Sequence, residues 1–559
     1  EKRAIGESLG EGLAGGVRVH MGLDDAVVVH DHERVSDRFE VGAQHVGVFL
    51  AGALDDELRA VGETDILGGE SREIGFFLRF ALLGAVADGK TLNTKVLQDA
   101  IDRISAAGGG TLVLSGGTFL SGNLFLKDNV ELRVEAGSTL LGSTNPFDYT
   151  LVTGTSIPEG RGLDSARMGL IVIQKVNNVK LSGFGTIDGQ GRELAVAVDS
   201  INQARKKTDP SERQRPGELQ RQKLIFSTDA SGITIENLNL RNSAVWGVSF
   251  DSCENVLVEG VKIYNRAYWN NDGIDLTDSR HVIIRDCDIN SADDGLCLKS
   301  NRDDFVNSDI LIENCSIASS ASAIKFGTAS YGAWKGVTIR NIRVRDTFRS
   351  AIAIESVDGA KIEDILVENV FARNTGNGIF LRLGRRRGDG TGYLRNVTIR
   401  NLSCEVPAGR PDQGYDIPGP IVDYPHHNPF PCSITGLPAN HVENVLVENV
   451  ELILPGRATK AMGYVPLSNL DLVPENESDY PEYSMFGELP SYAFYIRHAD
   501  GVKFKNIRIF LMEDDYRPAF VADDAAGISF QDITYPLHKR EGQIFLRGCS
   551  LAPGSDRVE

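Results

Sequence analysis

Along the middle of the chain a five-residue pattern recurs: apolar, any, apolar, charged, then Asn, Asp or Gly. It begins at Ile233, Val256, Val282, Ile310, Val337, Ile365, Val397 and Val445, as in Ile233-Thr-Ile-Glu-Asn237 and Ile365-Leu-Val-Glu-Asn369. Successive starts lie 23, 26, 28, 27, 28, 32 and 48 residues apart. Helical and leucine-rich repeats share some of these periods, but here each period holds short β-branched runs and turn residues with no helical face. The pattern predicts an all-β solenoid, one coil of a parallel β-helix per repeat. The residue after each Asn-like position is again apolar (Leu238, Val261, Cys287, Cys315, Ile342, Val370, Leu402, Val450), which makes it a core column. Cys287 and Cys315 then act as small hydrophobes rather than as nucleophiles or metal ligands. The Asn positions are expected to stack at the bends, amide to amide, from coil to coil.

Other segments frame this core. Asn93-Thr94 can cap a helix that carries Val96, Leu97, Ala100, Ile101 and Ile104 on one face, a short N-terminal lid over the open end of the solenoid. The boundary is drawn with residues 1–80 as an N-terminal extension of unknown nature and 81–559 as the β-helix domain. Before Lys90 there is no Asn, Pro, Tyr, Trp or Cys, while four of the ten His occur there, at 20, 30, 32 and 45. A separate small domain, an extension and a stretch outside the native reading frame all remain open. Between Val397 and Val445 an insertion of about residues 405–440 includes Asp423-Tyr424-Pro425-His426-His427. It reads either as a wall of a binding site or as a surface excursion. Cys404 and Cys432 could staple it in an exported protein.

Composition removes some functions. Of 559 residues 41% are hydrophobic and 24% charged, an ordinary globular balance. The formal net charge of −19 repels polyanions, so neither nucleic acid nor an anionic membrane is an expected partner. No apolar run reaches the roughly 18 to 20 residues of a membrane span. Glu1-Lys2-Arg3 does not open a secretory signal, although one could have been trimmed. Seven cysteines spread over this length do not read as a disulfide framework.

The chemistry comes from a second column. Aligning the strands that follow each repeat places small residues at 247, 273, 295, 323, 351 and 378 in one lane, read as room for a ligand. Beside it Asp272 and Asp294 should stack on adjacent coils about 4.8 Å apart, with Asp293 on the neighbouring bend. Crowded carboxylates disfavour full ionisation, so one acid should keep its proton while another stays anionic. Glycoside hydrolysis needs such a division of labour. Any single Asp-Gly is more often a turn former, and clustered carboxylates also suit Ca²⁺.

With Gly84-Ala-Val-Ala-Asp-Gly-Lys-Thr, Gly185-Thr-Ile-Asp-Gly-Gln-Gly191, Trp246, Asn270-Asn271-Asp272-Gly273 and Asp293-Asp294, the chain resembles glycoside hydrolase family 28 from Gly84 to about Tyr535. The resemblance implies a right-handed, pectin lyase-like β-helix of the polygalacturonase and rhamnogalacturonase group. It also implies Asp293 as general acid, with Asp272 and Asp294 holding the attacking water in an inverting displacement. Two positions depart from the family. Its Gly-His-Gly falls on Ala321-Ser322-Ala323, and its Arg-Ile-Lys, which grips the sugar carboxylate, falls on Ala353-Ile354-Glu355. Asn270, Lys299, Ser322, Lys325 and Arg382 are therefore assigned to substrate binding. Lys325, between Cys297 and Ala353 in the stack, is positioned to pair with a uronate or with Asp294. Arg385-Arg386-Arg387 could steer an anionic polymer, and His498 is expected to pack in the last coils.

These readings converge on a glycosidase that cleaves galacturonosyl linkages in pectic polysaccharide. It is expected to be cofactor-free, without a metal, monomeric, and secreted or periplasmic because its substrate lies outside the cell. A glycosidase of the same fold for another sugar, a metal-dependent lyase and a non-catalytic carbohydrate-binding solenoid stay open as alternatives.

Overall fold

The computed structural model describes residues 84–158, 161, 167–207, 221–387, 392–411, 428–536 and 542–556. It adds two short strands nearer the N-terminus, Gly16–His20 and Phe77–Arg79. Most of the predicted N-terminal extension, and Asp423 to His427 of the insertion, lie outside the described residues.

All eight predicted repeats fall into one register. Ile233 pairs with Val256, and the ladder continues through Val282, Ile310, Val337, Ile365, Val397 and Val445 in parallel. Two further parallel ladders complete each coil. One runs through Leu240, Ile263, Ile289 and Ile317. The other runs through Ile225, Val248, Ile274, Leu296, Ile324, Ile352 and Ile379. The chain is thus a parallel β-helix, right-handed as the crossover rule for parallel strands requires. Its interior is a single apolar column from Leu97 to Phe530.

The predicted asparagine ladder is present. Side-chain amides link Asn314, Asn341, Asn369, Asn401, Asn449 and Asn506 in turn at 2.8–3.0 Å. Each of these residues has φ between 51° and 57°, a left-handed conformation that Asn tolerates and most side chains resist. Cys287 and Cys315 are buried core residues, as their column implied.

The lid helix spans Thr94–Ala106 and buries Leu97, Ala100, Ile101 and Ile104, while Val96 stays half-exposed. Asn93 does not cap it through its side chain. That amide instead accepts from the Val86 amide at 2.8 Å and donates to the Val86 and Thr91 carbonyls, fastening the preceding turn. A second helix, Gly191–Lys206, interrupts the coils and is not predicted by the repeat pattern. Cys404 and Cys432 are free thiols, both packed against Gly378, so no disulfide staples the insertion. At the far end Phe494, Phe504, Phe520 and Phe530 fill the core, with ring centroids 4.9–5.6 Å apart.

The lane of small residues has a different cause from the one expected. A Cβ on Gly273 would lie 2.4 Å from the Gly295 carbonyl and 2.6 Å from Ile289, and one on Gly295 would lie 2.5 Å from Ile317. Ala323 and Ala351 are wholly buried in the core. The lane is small because neighbouring coils pack against it; it faces inward and leaves no ligand space.

Candidate active site

The site forms where the third ladder begins its strands. The Gly273 amide donates to the Asp294 carbonyl and the Gly295 amide to the Ser322 carbonyl, so Asp272, Asp294 and Ser322 stack on three successive coils. Buried asparagines hold the first of these turns. Asn265 donates to the Asp272 carbonyl at 2.8 Å, and Asn271 donates to the Ser243 and Val245 carbonyls. Asn270 accepts from Arg221 at 3.1 Å, a contact that anchors the same turn. On the next coil the Ser291 and Ser319 hydroxyls donate to the Asp293 carbonyl and the Asp293 carboxylate accepts from the Asp294 amide. Asp293 is left partly exposed, whereas Asp294 is 4% exposed and Asp272 3%.

Two lysines sit among these acids. Lys299 Nζ lies 3.0 Å from Asp275 and 3.6 Å from Asp272, over the Trp246 ring at 4.6 Å. Lys325 Nζ lies 3.3 Å from Asp294 and donates to the Tyr480 hydroxyl at 3.0 Å. In the ladder Asp275, Cys297, Lys325 and Ala353 are consecutive neighbours. Ser322 contributes its backbone amide to Asp294 at 3.0 Å, in place of an imidazole.

This arrangement splits the two buried aspartates. Burial, then Asp275 and Asp293, push the Asp272 carboxyl well up, against the pull of Lys299. Burial also acts on Asp294, but Lys325, Lys299, Arg349 and the Ser322 amide outweigh it and hold that carboxyl below its ordinary value. Asp275, buried and only partly compensated by Lys299, is pushed up to about 6. Glu355, at the family's lysine position, is pushed up to about 8 by burial, which Lys325 opposes.

A divalent cation does not suit these donors. Asp272, Asp294 and Cys297 offer ligand atoms within 4.8 Å of one another. Burial favours the protonated form of Asp272, however, Lys325 already neutralises Asp294, and burial keeps the Cys297 thiol protonated.

The structure adds residues that the sequence reading passed over. Arg349 lies in the column of Asp293, with only Ala321 between them: the Asp293 amide bonds to Asn271 on one side and the Arg349 amide to Ala321 on the other. Its guanidinium is 13% exposed and pairs with Glu482 at 3.0 Å. Extending the strand alignment one residue N-terminal to Ser350 would have found it. Tyr480 and Glu482 had no sequence signal for this role, because a segment far along the chain brings them back over the groove. Arg382 anchors that segment. It is 1% exposed and donates to the carbonyls of Gly436, Glu475 and Asn476, so its guanidinium is committed to backbone rather than free for a sugar. Arg386 is likewise engaged by Asp358 at 2.7 Å, which leaves the triple-arginine turn less free to steer a polymer.

A solenoid that gathers paired carboxylates of opposite protonation along one face is built as a carbohydrate-cleaving enzyme, a glycoside hydrolase. The family model described as glycosyl hydrolases family 28 matches residues 131–409, about half of the chain and all of the aspartate site. The chain belongs to that family. Similar proteins include a probable polygalacturonase of Vitis vinifera, 26% identical over 404 residues, 67% of this chain and 74% of the relative. An exo-poly-alpha-D-galacturonosidase of Dickeya chrysanthemi is 26% identical over 364 residues, and there the match spans only 55% of the relative's length. Among solved structures, the family 28 exopolygalacturonase of Yersinia enterocolitica superposes with a TM-score of 0.50 at 16% identity, covering 87% of this chain and 81% of that one, a likeness of fold.

Proposed function

We propose that this protein hydrolyses galacturonosyl linkages of pectic polysaccharide by single displacement, with Asp293 as acid and Asp294 as base. The observation that carries the reading is the gathering of Asp272, Asp293 and Asp294 on two adjacent coils, with Lys325 3.3 Å from Asp294. Asp294, held low by Lys325, is the anion able to take a proton from water. Asp272, pushed up by burial, keeps its proton and shares the task of holding that water. Asp293 is the partly exposed member, so the glycosidic oxygen is placed against it to receive a proton as the bond breaks. Lys299 and Lys325 supply the positive potential that lets a uronate carboxylate approach an acidic floor, with Asn270 and Ser322 shaping the turns around it. The similarity to named polygalacturonases supports the same substrate class. A polymer outside the cell implies export.

The segment that bears Tyr480 and Glu482 packs against Lys325 and Arg349 beside the aspartates, and we read it as a wall that suits attack at a chain end. The test is turnover of polygalacturonate by wild type and Asp293→Asn, with products resolved by size and anomeric form followed by NMR. Wild type should release mainly monomer or dimer with inverted configuration, and the variant should fold normally but lose at least 1,000-fold in kcat. Retention of configuration, or a fully active variant, refutes the assignment.

A further inference from the structure

Outside the residues matched by the family model, the bend after the third ladder collects a second set of chemically competent side chains. His441 precedes strand Val442–Leu454, His498 follows Phe494–Arg497, and Asp524 follows Phe520–Asp523. The register pairs Val442 with Ala499 and Arg497 with Asp523, so the three occupy successive coils. His498 Nδ1 lies 2.7 Å and His441 Nε2 3.4 Å from the same oxygen, Asp524 Oδ2, and all three ligand atoms fall within 4.8 Å of one another. Ligands around a tetrahedral zinc at about 2.0–2.1 Å sit roughly 3.3 Å apart, so small side-chain shifts convert one spacing into the other.

The remaining ring nitrogens carry the argument further. His498 Nε2 is hydrogen-bonded to Glu475 at 3.1 Å, and Asp500 lies 3.1 Å from His441 Nδ1 without the alignment of a hydrogen bond. A carboxylate behind each imidazole is the arrangement that fixes the tautomer and raises the basicity of metal-bound histidine. His498 has that arrangement, and Asp500 is near enough to His441 to take the same role once the ring turns to a metal. We propose that His441 Nε2, His498 Nδ1 and Asp524 bind a zinc ion, with Glu475 and Asp500 orienting the two rings. Two nitrogen donors select zinc over calcium or magnesium. Asp524 is 54% exposed, so water completes the shell from the solvent side and the ion can enter. Among the described residues, the cations against the set are Arg497, shared between Glu475 at 2.5 Å and Asp523 at 3.4 Å, and Arg382, which also acts on Glu475. The Glu475 carbonyl also receives Arg382, at the start of the segment that carries Tyr480 and Glu482. The ion therefore ties the last coils to the wall of the catalytic groove.

The test uses the full chain without an affinity tag, stripped with EDTA and dialysed. Zinc is titrated by calorimetry, cobalt(II) by visible absorption, and thermal melts are run with and without zinc. One equivalent of zinc should bind, cobalt should give the intense bands of a four-coordinate site, and zinc should raise Tm by several degrees. His441→Gln and Asp524→Asn, both at partly exposed positions, should each weaken zinc binding at least 100-fold and abolish the zinc-induced rise in Tm. Their zinc-free melts should stay close to wild type. No saturable zinc binding, or binding unchanged in both variants, overturns the proposal; the second outcome would place the ion elsewhere, for example among the N-terminal histidines.

Discussion

In the proposed mechanism the division of labour between the aspartates turns on Lys325, so Lys325→Met is the sharpest perturbation. Its ammonium lies 3.3 Å from Asp294 at 1% exposure. At an effective dielectric near 20 that contact is worth about 5 kcal/mol. Lys299, Arg349 and the Ser322 amide remain in the variant, so we take about half of this as lost to the ionised form of Asp294. The sign follows from the wild-type state. A base whose carboxyl is held low is active above its pKa and fails as pH falls through it. Removing the ammonium raises that pKa and moves the acidic limb of the rate profile upward. Half of the contact, about 2.5 kcal/mol, corresponds to roughly a 70-fold fall in kcat/KM on the acidic side.

The assay is release of reducing ends from polygalacturonate between pH 3 and 8, at a temperature well below Tm. Breaking one side of a buried pair also costs about 3–5 kcal/mol of stability, so melts must accompany the kinetics. Tyr480→Phe removes the other hydrogen-bond partner of Lys325 while leaving the charge, and should leave the limb in place. If Lys325→Met folds and its acidic limb coincides with that of wild type, Lys325 does not set the state of Asp294 and the mechanism is wrong.

Two further perturbations probe the frame around the site. Glu355 is wholly buried and pushed up to about 8 from an ordinary value of 4.5, so folding favours its protonated form. Its contribution to stability is complete below about pH 4.5 and is lost as pH rises to about 8, up to about 5 kcal/mol in all. Glu355→Gln should therefore gain on wild type steadily across that window in urea melts; a constant difference at every pH would contradict the assignment. Asn369→Ala breaks two amide links, to Asn341 and from Asn401, and leaves alanine at φ 57°. A loss of about 2–3 kcal/mol is expected, and less than 0.5 kcal/mol by chemical denaturation would show that the ladder contributes little.

The coils were legible because a β-helix writes its period into the chain. Each apolar–any–apolar triplet has its partner one coil away, and each left-handed bend asks for Asn, so register and ladder could both be read from spacing. Asp272 and Asp294 stack for the same reason. What could not be read is set by direction and distance rather than period. The small lane looked like space because an empty position and a tightly packed one have the same sequence, and only the Gly295 carbonyl 2.4 Å from a Cβ on Gly273 separates them. Arg382 looked like a groove cation because its strand position is right, yet its guanidinium turns to carbonyls of a segment some 90 residues later. Tyr480 and Glu482 reach the site through that segment, and no local pattern announces a return of the chain.

The missing arginine of the family pattern shows how these long-range contacts reshape a motif. Ala353 stands at that position with 1% of its surface exposed, among Phe380, Phe430, Tyr483, Phe486 and Tyr495. Those aromatic side chains, three of them at 483–495, pack in one apolar cluster with Ala353 and leave it buried. The positive charge is instead delivered one coil earlier by Lys325, and beside Asp293 by Arg349, each tied to the same segment through Tyr480 or Glu482. Cation and wall are thus one unit. Restoring the family residue with Ala353→Arg should therefore fail: overpacking costs about 1–3 kcal/mol, and a guanidinium desolvated among aromatic rings without a carboxylate adds to that. The variant should melt several degrees lower and lose activity through displacement of Tyr480 and Glu482, as measured by melts and by KM and kcat on polygalacturonate. A variant with wild-type Tm and a lower KM would show that the aromatic cluster yields to the new side chain, and that the cations of this site are interchangeable with those of the family pattern.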